Sequence, residues 1–331
     1  SMALLRAVAL AGVIALLNRR RDALAGLAVV AFILIDLGPV AFEVAPRISS
    51  TFFTPPPAVS LLPDDRASYR LFNQAALDSV SENAQRFLNG EQGYWTLRNG
   101  LFPTTPGLWG FRTILEKDFD KTELLPTLRL REALNGVLDR GDGRALTALM
   151  MMSNVRYRLL YADYSSVMRQ AGGRIENALP VRALAVPLVP RYYFADEIAG
   201  AANNGEVVNR LMEKAWSHRV AFLETKSYVP AAGMVTRLVE TAQKVDLDVS
   251  CQGSALLVIG ITRHKYWRAR VDGRAAQLIP ANIAFQALSV PQGNHHIELR
   301  YRNPLVVIGM WISALALLGL IAISWRSSNP S

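Results

Sequence analysis

From Leu305 to Trp325 the chain carries no charged residue and only two serines, and this run follows directly on a stretch whose residues alternate apolar and polar. At about 1.5 Å per residue it is long enough to cross the roughly 30 Å hydrocarbon core of a bilayer, so the sequence predicts a transmembrane helix. Trp311 and Trp325 lie toward its ends as interfacial aromatics do, and Arg326 follows at once. The positive-inside rule then puts the C-terminus in the cytoplasm and the preceding β pattern outside.

That β pattern is legible in detail. Trp267, Ala269 and Val271 alternate with Tyr266, Arg268 and Arg270, as on a half-buried strand. Asp272-Gly273 suits a two-residue type I′ turn, in which both central residues need positive φ, so Arg274 to Ile279 is expected to return antiparallel. A second hairpin is expected about Pro291-Gln292-Gly293, with Ile297, Leu299 and Tyr301 alternating against His296, Glu298, Arg300 and Arg302. Val245 to Val249 alternates strictly, and Ala255 to Ile261 is continuously apolar, the mark of a strand buried on both faces. Hairpins with one apolar face need a second layer, and the expectation is an antiparallel β-sandwich.

At the other end, Met2 to Leu17 is a short apolar run interrupted by Arg6, expected as a short or cut span rather than a signal peptide because its arginine cluster follows it, and Ala23 to Phe42 is a longer run beyond Arg19-Arg20-Arg21. With those arginines cytoplasmic, the two form a helical hairpin that exits to the outside, in agreement with the C-terminal reading. Asp36 lies inside the second run, where an ionisable side chain is costly and a functional candidate. Thr54-Pro55-Pro56-Pro57 is expected not to be helical and to form a stiff linker that lifts the domain off the membrane. Between linker and β region, helix patterns at 119–137, 145–152 and 206–214 mix with strand patterns at 155–160, 182–188, 191–194 and 220–224.

The expected fold class is an α+β membrane protein, with transmembrane helices flanking an extracytoplasmic mixed α/β lobe followed by an antiparallel β-sandwich. The expected organisation is two spans with a cytoplasmic Arg-rich loop at 2–42, a linker at 43–61, the α/β lobe at 62–227, the sandwich at 228–303, a third span at 304–326 and a cytoplasmic tail at 327–331. The formal net charge is +9 over 331 residues. Basic residues interleave with acidic ones across the middle, however, and the densest cluster is the topology signal at Arg19 to Arg21, so no nucleic-acid partner is expected. A single cysteine, Cys251, excludes an intrachain disulfide. His295 and His296 are neighbours on a strand and point to opposite faces, so they cannot chelate one ion together. No phosphate loop, nucleophile elbow or zinc-protease motif occurs, and neither metal nor cofactor is expected.

Three blocks carry a family resemblance: Tyr266-Trp267-Arg268-Ala269-Arg270-Val271-Asp272-Gly273, Asn282-Ile283-Ala284-Phe285-Gln286, and Pro291-Gln292-Gly293-Asn294-His295-His296-Ile297-Glu298-Leu299-Arg300-Tyr301. In order and spacing they resemble the pattern of the YfhO-type bacterial multi-spanning membrane proteins. Ser153-Asn154-Val155-Arg156-Tyr157, Pro190-Arg191-Tyr192-Tyr193 and Asp36-Leu37 add weaker matches. The resemblance implies a lipid-linked-sugar-dependent glycosyltransferase of the GT-C class. Family chains are much longer and hold their catalytic acidic residues in an early extracytoplasmic loop with no counterpart here, so no catalytic residue carries over. The opening Ser-Met has the look of an expression scar. The chain is accordingly expected to be a C-terminal portion, to have its partner spans on another polypeptide, or to be a non-catalytic relative.

The candidate binding residues are Tyr266, Arg268, Arg300 and Arg302, an aromatic and basic group at head-group depth, together with Asp36, Tyr157 and Arg191. The expected partners are the lipid bilayer, a polyprenyl-phosphate-linked sugar or cell-envelope glycan, and additional spans or subunits. The expected role is the membrane-anchored, extracytoplasmic portion of a glycosyltransferase. The alternative is a non-catalytic scaffold that recognises a cell-envelope polysaccharide or anionic lipid.

Overall fold

The computed structural model describes residues 31, 49–74, 95, 98–102, 105–115, 123–161, 181–224 and 228–328. Its core is a stack of sheets in which the strands read from alternation occupy the layers their apolar residues require. The outer sheet has the order β12-β11-β15-β9-β8, from β8 (Gly233–Glu240), β9 (Lys244–Cys251), β11 (Trp267–Val271), β12 (Arg274–Ala276) and β15 (Gly293–Tyr301). All its pairings are antiparallel. Beneath it lies a second antiparallel sheet of order β13-β14-β10-β5, from β5 (Tyr192–Phe194), β10 (Ala255–Ile259), β13 (Ile279–Ala281) and β14 (Phe285–Val290).

Val245, Leu247, Val249, Trp267, Ala269, Ile297 and Leu299 of the outer sheet meet Ala255, Leu257, Ile259, Leu288 and Val290 of the inner one in a shared core. The inner sheet is buried on its other face too. Leu256, Val258 and Ala287 point away from that core, into a cluster with Ala221 and Leu223 of β7 (Val220–Leu223), which pairs in parallel with β6 (Glu197–Gly200). This is why β10 has no polar position. A strand covered on both faces gains from apolar residues at every step.

The remaining layer is a mixed sheet of order β2-β1-β3-β4, from β1 (Arg70–Asn73), β2 (Arg112–Thr113), β3 (Val155–Tyr161) and β4 (Val181–Ala185). Against it and the inner sheet pack α1 (Leu125–Asp139), α2 (Gly143–Met152) and α3 (Asn204–Glu213), through Leu130, Leu134, Leu149 and Leu211. Gly141 turns the chain with φ 67° and the Asp142 carboxylate caps α2 by accepting from Ala145 N at 3.0 Å, so the Gly-Asp-Gly run between the two helices is a stop followed by a start.

Three expectations meet a different outcome. Pro291-Gln292 does not close a hairpin. β14 pairs with β10 and β13, β15 pairs with β11 and β9, and the turn carries the chain from one sheet to the other. The proline-rich stretch is not a free spacer. Ser50–Phe53 and Pro57–Leu61 form short 3-10 helices, Ala58, Val59 and Leu62 pack beside Tyr69 and Trp109, and Arg98 donates to the carbonyl oxygens of Phe52 at 2.7 Å and of Thr54.

The third correction concerns the fold class. The expected spans at 2–42 lie outside the described residues, residue 31 apart, and the third coincides with α4 (Pro304–Ser328). Among the described residues no helix is long and apolar enough to cross a membrane. The side chains of α4 are described to Gly319, and that part rises roughly 24 Å against a hydrocarbon core of roughly 30 Å. The described architecture is therefore mostly antiparallel sheet with few helices, and transmembrane helices flanking two extracytoplasmic modules are not part of it.

Candidate functional site

The site is the end of the outer sheet from which α4 departs. β11 and β15 pair so that Trp267 opposes Tyr301, Arg268 opposes Arg300 and Ala269 opposes Leu299. On its other side β15 pairs with β9, placing Lys244 opposite Arg300. Arg268, Arg300 and Lys244 thus form one cross-strand row, in which like charges in direct opposition repel unless anions intervene. Lys244 has carboxylates nearby, Asp246 at 2.8 Å and Glu298 at 3.8 Å, and Arg300 contacts Glu298. Arg268 has no carboxylate partner among the described residues; its guanidinium donates to the carbonyls of Lys265 at 2.6 Å and Trp267 at 3.0 Å.

Arg302 follows at the edge, exposed, with its N–H bonded to Tyr266 O at 3.2 Å. Asn303 then caps α4 by accepting from Leu305 N at 3.0 Å, and Pro304 takes the first helical position, where a missing N–H costs nothing. The helix carries exposed apolar side chains from its first turn, Leu305, Val306 and Ile308, then Met310 and Trp311. An aromatic group stands at its foot: Tyr301 packs against Trp267 at 5.4 Å, Tyr266 at 6.1 Å and His264 at 5.3 Å between ring centroids.

Of the sequence-selected residues, Arg268, Arg300, Arg302 and Tyr266 come together here. Tyr266 is half-buried on Tyr301, with the Lys265 ammonium 5.1 Å from its ring centroid. Arg191 and Tyr157 lie elsewhere. Arg191 binds Glu240 at 2.9 Å, Glu240 also takes Arg112 at 3.1 Å, and this ion-pair cluster joins β2 to β8 at the far edge of the outer sheet. Tyr157 packs on Tyr69 with ring centroids 5.6 Å apart in the mixed sheet. Asp36 lies outside the described residues.

Lys244, Arg263, His264 and Lys265 belong to the same neighbourhood, and alternation could not find them. The first joins through register with a strand outside the recognised blocks, and the others sit on the connection from β10 to β11, which crosses between the sheets. That connection is pinned where Arg263 N donates to Ala284 O at 2.8 Å.

Most residues of the quoted motifs build the fold. Trp267, Phe285 and Leu299 are core. Asp272 and Gly273, at φ 50° and 78°, make the type I′ turn. The Asp272 carboxylate takes His295 Nδ1 at 2.6 Å and His296 N at 2.9 Å, which draws the Asp272 pKa down and raises that of His295. Asn282 is buried at φ 49°; its amide donates to Tyr193 Oη at 2.8 Å and Val220 O at 3.2 Å and accepts from Phe222 N at 2.8 Å, stitching β7 to the inner sheet. Burial raises the Tyr193 hydroxyl's pKa, so it stays a neutral partner in this network.

No curated protein matches the chain. Residues 227–313, which span the sandwich strands from β8 onward and the first turns of α4, match the family described as bacterial membrane protein YfhO.

Proposed function

We propose that this chain is the extracytoplasmic, substrate-positioning portion of a GT-C-like glycosyltransferase that uses a lipid-linked sugar, with catalysis carried by other segments. Its task is to hold the outer sheet's basic end against anionic head groups beside the reacting lipid. The observation that supports this reading is the row Arg268–Arg300–Lys244, continued by Arg302 and ending where a helix with exposed apolar side chains begins. Basic residues at a lipid surface attract anionic head groups by about 1 kcal/mol each.

The test is flotation of the full chain with vesicles of zwitterionic lipid and of zwitterionic lipid mixed with phosphatidylglycerol, across a salt series. The anionic vesicles should bind more tightly, and the excess should fade with salt as exposed electrostatics do. Changing Arg268, Arg300 and Arg302 together to Gln should remove about two orders of magnitude from that excess while leaving thermal stability in place, because exposed charges contribute little to folding. A triple variant that keeps the full excess would reduce the row to a solvated face.

A further inference from the structure

Beside the basic face opens a pocket of about 670 Å³, walled by the β10–β11 connection, the β11–β12 hairpin and the N-terminus of α1. Its polar lining is one-sided. Arg263, His264, Lys265 and Arg268 line it, and no carboxylate does so among the described residues. Neither Arg263 nor Lys265 has a carboxylate partner among the described residues, and the Lys265 ammonium stands 5.1 Å from the Tyr266 ring centroid, so no carboxylate neutralises either charge.

At the pocket's inner end lies Gln286, a polar residue on the sandwich face of β14, 1 % exposed, whose Nε2 has no hydrogen-bond partner. A buried amide donor without an acceptor costs free energy that an anion entering the pocket would return. The first turn of α1 has no side-chain cap and brings the positive end of a helix dipole to the same opening. The opposite wall is apolar. Leu124 and Leu125 stand 43 % and 57 % exposed at the pocket, with Leu278 and Trp267 behind them.

We infer that this pocket binds a phosphate ester carried on an apolar body, the phosphate facing Arg263, Lys265 and Gln286 and the apolar part lying along Leu124, Leu125 and Leu278. A tetrahedral anion with three free oxygens accepts from several donors arriving from different directions, which a planar carboxylate does less well. The inference deepens the reading above, since the pocket adjoins the basic face, but it concerns one bound molecule, and the two can be tested apart.

Isothermal titration of the full chain in nonionic detergent with dodecyl phosphate should give saturable one-to-one binding. Dodecanol and inorganic phosphate, each carrying half of the recognised chemistry, should bind at least about tenfold more weakly. The double change Arg263→Gln with Lys265→Gln, and separately Gln286→Leu, should each weaken dodecyl phosphate about tenfold or more, with melting temperature as the check on folding. Arg300→Gln with Arg302→Gln, which alters the face and leaves the pocket lining intact, should not. Binding of inorganic phosphate as tight as that of dodecyl phosphate would overturn the apolar half of the inference. Absence of saturable binding, or binding unchanged in both pocket variants, would overturn all of it, whatever the vesicle experiment gives.

Discussion

Asn282 shows how a motif residue can look functional and be structural. Its side chain satisfies three buried groups, and its backbone adopts a left-handed conformation that asparagine tolerates better than most residues. Asn282→Ala strands the Phe222 N–H, while the Val220 carbonyl keeps its bond from the Tyr193 hydroxyl at 2.8 Å; one orphan costs about 1 to 3 kcal/mol, so denaturant unfolding should report a loss of at least about 1 kcal/mol. A smaller loss would mean that the network is not closed as described. The pair Asp272–His295 has a pH signature. His295 is raised when folded, so its contribution is complete below the imidazole's ordinary value of about 6.5 and is lost as pH climbs through the raised one; Asp272 is lowered, so its share is present above about 3.9 and lost as pH falls through the depressed value. The pair therefore stabilises most between those limits. Asp272→Asn keeps an Asn-Gly turn, and proton NMR should show the His295 pKa fall toward its ordinary value; a His295 pKa that stays raised would mean that Asp272 is not its partner.

At the level of elements, local alternation told which residues face inward but not which strand lies alongside. Trp267, Leu299 and the uniformly apolar β10 were legible because burial on one face or two writes a period of two or a continuous run. The sheet change at Pro291-Gln292 was not, since a tight turn between strands and a crossing between layers use the same turn residues. Nor was the addition of β5 to the inner sheet, because Tyr192–Phe194 is far from β10 in sequence and its pairing is set by tertiary packing. The basic row was half legible. Arg268, Arg300 and Arg302 lie in recognised patterns, whereas Lys244 enters only through register. The two-layer packing makes a direct prediction: Trp267, 9 % exposed, fills the core between the sheets, and Trp267→Ala should cost about 3 to 5 kcal/mol in unfolding experiments. An unchanged melting temperature would remove Trp267 from that core.

For the whole molecule, the layers predict an order of opening. β10 lies between β14 and β5 in a sheet covered on both faces, and every one of its side chains is buried. β8 is an edge strand of the outer sheet, with Met234, Leu238 and Val239 exposed. Native-state hydrogen exchange should therefore find the amides of Ala255–Ile259 among the last to exchange and those of Gly233–Glu240 among the earlier ones, because edge backbone opens without breaking the core. Equal protection in the two strands would contradict the layer order.

β15 is the middle strand of the five-stranded sheet and passes into α4 through Arg302 and Asn303 alone. Arg302 is held by its bond to Tyr266, and Asn303 is taken up in capping the helix, so there is no slack between them. Mechanically this is a joint without a swivel. A tilt of α4 is delivered as torque to the centre of the sheet, and strands hydrogen-bonded on both sides turn with it as a plate. The orientation of the basic row is then set by the angle of the helix, and whatever grips α4 also aims the sheet.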